Sequence, residues 1–566
     1  MAANKLPELQ DSPPKHSPLR RWMLTDEATR PHDKHGLHPW YLVIWLTGVD
    51  YFSTLGYQPG IALLAAGALA PVATAVLVAV TLLCALPIYI QVSGRSYAGL
   101  GSIAMLENLL PGWWGKFMVL VLLGFATTDF VITMTLSASD AATHATQNPY
   151  LHPFLGDRNM LVTLVLLALL AGVFLKGFSE AIELATLVCV PYLALNAIVL
   201  VRALLETVSH PTALPRWQDA LHAQGDWRHL ALAAAILFPR LALGLSGFET
   251  GVAVMPLVRG AAADAKAAKP SGRIANTRKL LTAAAIIMSV LLLLSSFVAV
   301  LLIPKEAYQA GGPASGRAIA YLAHKYLGNV FGSIYDMSTI LVLWFAGASA
   351  MAGLLHLVPR YLPRVGLAPE WVAFARPLVL VLFGINVLVT VIFRANVEAQ
   401  GGAYATGVLV LMLSAAVAAA IALWKERSRG LSVYCWGVVL VFGYTTIANI
   451  IERTDGIIIA GGFILFILTL SGISRYRRAQ ELRVGGHRFA DAESERLWNL
   501  MVTQHVNMVP VRSLDSKVLA DRAAKLSRYY HAEGVVAFVH ITLLDNRSEF
   551  LSPLEITVQR DGSQYV

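Results

Sequence analysis

Charge is scarce in this chain. Only 14% of its 566 residues are Asp, Glu, Lys or Arg, where a soluble chain of that length carries about a quarter. Cysteine is scarcer still: Cys84, Cys189 and Cys435 each lie in an apolar stretch. No spacing among them makes a metal site or a disulfide framework, so they read as small core residues. No Walker loop, paired metal-ligand motif or nucleophile elbow stands in a stretch between apolar runs. An enzyme therefore has no motif to support it, and no cofactor is expected. The first residues also lack a short apolar run followed by a cleavage site. Residues 1–39 are expected to be a cytoplasmic tail, with His32, His35 and His38 solvated rather than metal-bound.

What fills the chain instead is aliphatic side chain, with 56% of residues hydrophobic. Runs close to twenty residues long recur, and each is long enough to cross a bilayer. The pattern predicts twelve spans, near 41–67, 71–92, 117–144, 159–175, 178–203, 229–257, 280–304, 331–355, 374–394, 403–424, 430–450 and 456–473. The net charge of +9 is no nucleic-acid signature, because the basic residues gather in the connections after even-numbered spans. Arg259, Lys266, Lys269 and Arg273 follow span six, Arg360 and Arg364 span eight, and Lys425, Arg427 and Arg429 span ten. The positive-inside rule then puts both termini in the cytoplasm, as in a bacterial inner-membrane protein. From about Ala479 the composition becomes that of a soluble domain. Strands are expected at Val506–Val511, Val535–Leu544 and Leu554–Val558, with a helix near Asp515–Tyr530. That reads as a small α/β cytosolic domain over 479–566.

Two spans are interrupted. The first carries Gly48, Asp50, Gly56, Pro59 and Gly60, and the sixth carries Gly244, Gly247, Glu249, Gly251 and Pro256. Irregular backbone at membrane depth is tolerated only where protein buries it or it lines a cavity. Paired breaks in corresponding spans of two halves are the pointer to an inverted-repeat transporter, with its binding site at the breaks. A flexible kink would not require Asp50 and Glu249, since a charge at the bilayer centre costs roughly 2.5–3.5 kcal/mol on insertion scales. In span three, Asp129, Thr133 and Ser137 are spaced to line one helix face, while Thr135 and Ser139 face the other way. Taken singly, each hydroxyl reads as bonded to its own backbone carbonyl; Asp129, an intramembrane acid, is a functional candidate by default.

Carboxylate, hydroxyl and freed carbonyl oxygens suit a hard cation that has shed its water. A further buried carboxyl can exchange a proton. An amino-acid substrate is the rival. Its carboxylate would meet Asp50, Tyr51 and Phe52 at the first break, although Asp50 could hold an amine.

At these residues the chain resembles the amino acid–polyamine–organocation transporter superfamily, and within it the KUP-type potassium–proton symporters. The stretches that carry the likeness are Gly48–Asp50 with Gly56–Tyr57, Asp129–Ser137, Leu245–Glu249 and Tyr404–Val408. The resemblance covers roughly residues 40–425. It implies an all-α polytopic protein of about twelve helices, with a leucine-transporter-type core of two inverted five-helix repeats over 40–425. Two additional helices would occupy 426–478 and could support a homodimer. It further implies that Asp50, Tyr57, Thr133, Ser137, Ser246 and Tyr404 surround a potassium ion, with Asp129 and Glu249 as proton-coupling acids. Ser246 stands where that branch often has threonine, and the polar, glycine-rich approach to Tyr404 departs from its pattern. The expected function is proton-coupled potassium uptake by alternating access, with an amino-acid or amine permease as the alternative.

Overall fold

The structure, a computed structural model, describes residues 22–23, 37–361 and 370–477 apart from 98, 100, 111, 178–181, 266, 268 and 310. Beyond those it describes 483–511, 514–515, 518–523, 535–541, 551–561 and 564–566. The chain divides into two units, 1–359 with 370–469, and 360–369 with 470–566. His32, His35, Lys266 and Arg364 lie outside the described residues.

Among the described residues, ten helical stretches are long and apolar enough to cross a membrane, as in a multi-pass membrane protein. The first, Trp40–Ser93, takes in the first two expected spans. It consists of α1 (Trp40–Ser53), α2 (Gln58–Ala66), α3 (Ala70–Val80) and α4 (Leu86–Ser93). Pro59 sits in the first turn of α2, just after the break, where a missing N–H costs nothing. Between α3 and α4 the helix widens into a π turn at Thr81–Ala85. Pro87 cannot donate to the turn before it and its ring crowds that turn, so a local widening is the expected relief.

Next come the short α5 (Gly101–Leu109), the long α6 (Gly112–Thr146), α7 (Asn159–Leu175) and α8 (Ile182–Ser209). The fourth expected span, α7, is shorter than the ten. After α9 (Ala213–His222), the sixth expected span divides into α10 (Trp227–Leu237), a 3-10 stretch Phe238–Leu245, and α11 (Phe248–Ala253). Asp226 caps α10 by accepting from the His229 backbone N–H at 3.0 Å, which holds its carboxyl below the usual carboxylate range.

The remaining helices of this unit are α12 (Ser271–Leu302), α13 (Ala318–Tyr361, kinked at Gly328), α14 (Ala375–Ile392), α15 (Val397–Lys425), α16 (Arg429–Glu452) and α17 (Thr454–Arg477). Burial ranks them. In α15, 78% of the apolar window is covered by protein, against 22% in α17, so α15 is central and α17 peripheral. Ala415, Ala416, Ala418, Ala419 and Ala420 are fully buried in α15; small side chains let neighbouring backbones approach closely. Leu440, Ile451 and Leu465 on α16 and α17 are open, as lipid-facing side chains are.

The second unit holds parallel strands β1 (Arg483–Phe489) and β4 (Leu551–Ile556), and a four-stranded sheet ordered β2-β3-β6-β5. Strand β2 (Val506–Pro510) pairs in parallel with β3 (Val535–Val539), Val506 opposite Val535. Strands β5 and β6 are Arg560–Asp561 and Gln564–Tyr565. Helix α18 (Ala492–Val502) buries Leu497 and Met501, capped by Asp491 accepting from the Ser494 N–H at 2.6 Å. The strand expected at Val535–Leu544 is described to Val539, and 518–523 are helical. The rest of the helix expected near Asp515–Tyr530 lies outside the described residues. The sequence reading did not anticipate β1 or α18.

Candidate ion-binding site

The two breaks meet. Helix α1 ends just after Asp50, Tyr51 and Phe52, and α2 restarts at Gln58. Opposite, the 3-10 stretch gives way to an extended Ser246 and a left-handed Gly247 (φ +90°) before α11 begins. A Cβ on Gly247 would stand 2.8 Å from the Tyr51 Cβ, so the close approach and the positive φ both demand glycine. Gly247→Ala is expected to destabilise the fold by about 1–3 kcal/mol, read as a lower thermal midpoint of the detergent-purified full chain. An unchanged midpoint would refute this account of the break.

Hydrogen bonds stitch the breaks together. Thr250 Oγ1 lies 3.1 Å from Asp50 Oδ2 and 2.8 Å from the Gly247 carbonyl oxygen. Thr54 Oγ1 is 3.3 Å from Ser246 Oγ, and Gln58 Nε2 donates to the Leu241 carbonyl at 3.0 Å. Tyr51 and Tyr89 both pack on the Phe248 ring, at centroid distances of 5.6 and 5.4 Å. The aromatic sleeve closes one side.

Asp129 enters from α6, and its Oδ1 is buried with no hydrogen-bond partner. Helix α15 passes so near that a Cβ on Gly407 would lie 3.0 Å from the Asp129 Cβ. Glu249, in the first turn of α11, accepts from the Ser102 backbone N–H at 2.9 Å and from Ser102 Oγ at 3.2 Å. Gly101 makes that approach feasible: it has φ +67°, and a Cβ there would fall 2.0 Å from Glu249 Oε1.

Together these groups enclose a cavity bordered by Asp50, Tyr89, Asp129, Ser246, Glu249 and Tyr404, with Phe248 and Met412 among its apolar walls. The space open to the centre of a water-sized occupant is about 20 Å³. By the same measure one water needs roughly 10–15 Å³. Space of that size holds a bare ion or a water. Three carboxyl groups border it, and no Lys, Arg or His is among its lining residues. Buried carboxylates with no basic partner are costly, so a cation or protons must balance them.

Of the eight residues expected at the site, Asp50, Asp129, Ser246, Glu249 and Tyr404 share this one cavity. The other three lie beyond its wall. Tyr57 caps α2, buried, its hydroxyl 3.4 Å from Thr54 Oγ1 and so linked through it to Ser246. Thr133 donates to the Asp129 carbonyl of its own helix at 2.8 Å, the arrangement any single threonine in a helix favours. Ser137 is buried one turn further on. Thr135 and Ser139 likewise donate to backbone carbonyls of α6. Sequence reasoning missed Tyr89, Thr250 and Ser102.

It also missed a second polar cluster in the same unit. Asp336 of α13, fully buried, accepts from Arg317 Nη2 at 2.8 and 2.9 Å, from His324 Nε2 at 2.8 Å and from Asn148 Nδ2 at 2.9 Å. His144 of α6 adds its Nδ1 at 2.8 Å. Arg317 and His144 are as buried as the aspartate. Intramembrane acids at 140 and 336 were the available signal. Neither the scan against protein-family models nor the search of curated proteins found a match to the chain.

Proposed function

We propose that this chain is a secondary transporter that takes up potassium with protons. The observation that carries the reading is the cavity at the meeting of the two breaks: three carboxyl groups, four hydroxyl-bearing side chains, no basic side chain, and room for an ion. In this reading Asp50, Ser246 and Tyr404 hold the dehydrated cation, and Tyr57 of the first break with Thr133 and Ser137 of α6 complete its surroundings. Asp129 and Glu249 carry the proton. The helices to Lys425 form two inverted five-helix repeats of the leucine-transporter type, working by alternating access. Helices α16 and α17 are added at the edge and serve a homodimer, and residues 479–566 form a cytosolic α/β regulatory domain. Both termini face the cytoplasm across a bacterial inner membrane, as the basic connections favour. Inward movement of each positive charge gains about 2.3 kcal/mol per 100 mV.

The test is growth and rubidium uptake in a bacterial strain stripped of its own potassium importers. Expression of the chain is expected to restore growth at low external potassium and to give saturable rubidium uptake that rises as the external pH falls. No rubidium uptake with the protein present in the membrane would overturn the potassium reading. Uptake of a labelled amino acid or amine in the same cells would then favour the permease reading.

A further inference from the structure

Asp140 is the acid that the transport site does not use. It lies on α6, fully buried, and neither carboxylate oxygen has a hydrogen-bond partner. One turn further along α6 is His144, whose Nδ1 faces Asp336 Oδ1 at 2.8 Å. The Asp336 carboxylate is bidentate with Arg317, so it is ionised and only accepts. His144 must therefore carry a hydrogen on Nδ1. Its Nε2 is left as the one nitrogen able to take up or release a proton, and that nitrogen is buried with no partner. An acid and a base four residues apart on a helix are neighbours on one face.

We propose that Asp140 and His144 form a proton-exchanging pair at the far end of α6 from Gly112, oriented by Asp336. The two groups are not hydrogen-bonded to each other in this conformation, so the exchange runs through one bridging water. The Nε2–H bond of the imidazolium breaks, the water passes a proton on, and an O–H bond forms on Asp140. Imidazolium and carboxylate become neutral imidazole and carboxylic acid, with no other reactant consumed. Several neighbouring elements contribute a facing group. Besides each other, the charged and titratable ones are Arg317 beside Asp140, Asp336 and His324 from α13, Tyr57 from the first break, and Tyr192 from α8. The network reaches the protein surface at His324, whose side chain is 15% exposed. On the other side of Asp140 lies the first break, where a Cβ on Gly56 would stand 3.3 Å from Oδ2. The pair thus sits between the surface and the broken helices, where a coupling proton must pass if the transport reading holds. Its exchange needs no transported solute.

Infrared difference spectra of the full chain in lipid nanodiscs, between acid and alkaline pH, test the pair directly. The native protein is expected to show a protonated-carboxyl band that Asp140→Asn removes. His144→Asn keeps an amide donor toward Asp336 and is expected to move the midpoint of that band. A spectrum unchanged in both variants would overturn the proposal whatever the transport assays find. Should Asp140→Asn fail to fold, His144→Asn decides: a midpoint equal to the native one overturns the pairing. A positive result would stand even if rubidium uptake were absent.

Discussion

Asp50→Asn is expected to abolish uptake at low rubidium while the protein remains in the membrane at its native level. Asparagine keeps the size of the side chain and an oxygen that can accept from Thr250 Oγ1, now 3.1 Å from Oδ2, so the seam between the breaks survives. What goes is the negative charge. Removing one member of a buried charge pair costs about 3–5 kcal/mol, equal to roughly two to four orders of magnitude in affinity. Uptake at low rubidium should therefore vanish, and high rubidium should restore part of it. Tyr404→Phe, which deletes one neutral oxygen donor, is expected to cost about 0.5–1.5 kcal/mol, a shift in the concentration for half-maximal uptake. Equal losses in the two variants would sink the assignment of Asp50 as the charged ligand.

The largest effect on stability is expected at Asp336. Its carboxylate receives hydrogen bonds from Arg317, His144, His324 and Asn148, and with its side chain 1% exposed it has almost no access to water. Asp336→Ala leaves the Arg317 guanidinium, 4% exposed, without its counter-charge. The expected destabilisation is about 3–5 kcal/mol, read as loss of the monodisperse species after mild heating in detergent. The control is Glu452, which pairs with Arg240 where both side chains are 31–40% exposed. Glu452→Ala should cost no more than about 1 kcal/mol. If the two variants melt together, the Asp336 cluster is not the structural clasp that its geometry implies.

The apolar runs pointed to twelve spans, and among the described residues ten helical stretches are long and apolar enough to cross a membrane, the first taking in two expected spans. Length and hydropathy need no tertiary knowledge. The acids Asp50, Asp129 and Glu249 stood out for a related reason: a carboxyl group inside such a run has no inexpensive local explanation. Ser246 and Tyr404 drew attention only through the family likeness, and the fold places them at the same cavity. Tyr89 and Thr250 could not be found this way. Tyr89 sits in an ordinary helical stretch and Thr250 is one hydroxyl within the sixth-span break, and only the approach of α11 to α1 and α4 gives each its neighbour. Thr133 was placed by its spacing from Asp129, and its hydroxyl donates to the Asp129 carbonyl of its own helix, as a single threonine is expected to do. Asp140 carried the same signal as Asp129, yet it lies four residues from the expected end of its span, where contact with water is the usual explanation. In the second unit, β2 and β3 were legible as β-branched runs. Strand β1, Arg-Val-Gly-Gly-His-Arg-Phe, has two glycines and three basic or imidazole side chains and so no strand signature; its pairing with β4 forms it.

Asp129 and Asp140 lie on one unbroken helix, eleven residues apart. That is close to three whole turns and a rise of roughly 16 Å, about half the thickness of a bilayer's hydrocarbon core. If α6 stands along the membrane normal, a positive charge relayed in several steps from one acid to the other would cross about half of the electric field, roughly 1 kcal/mol per 100 mV.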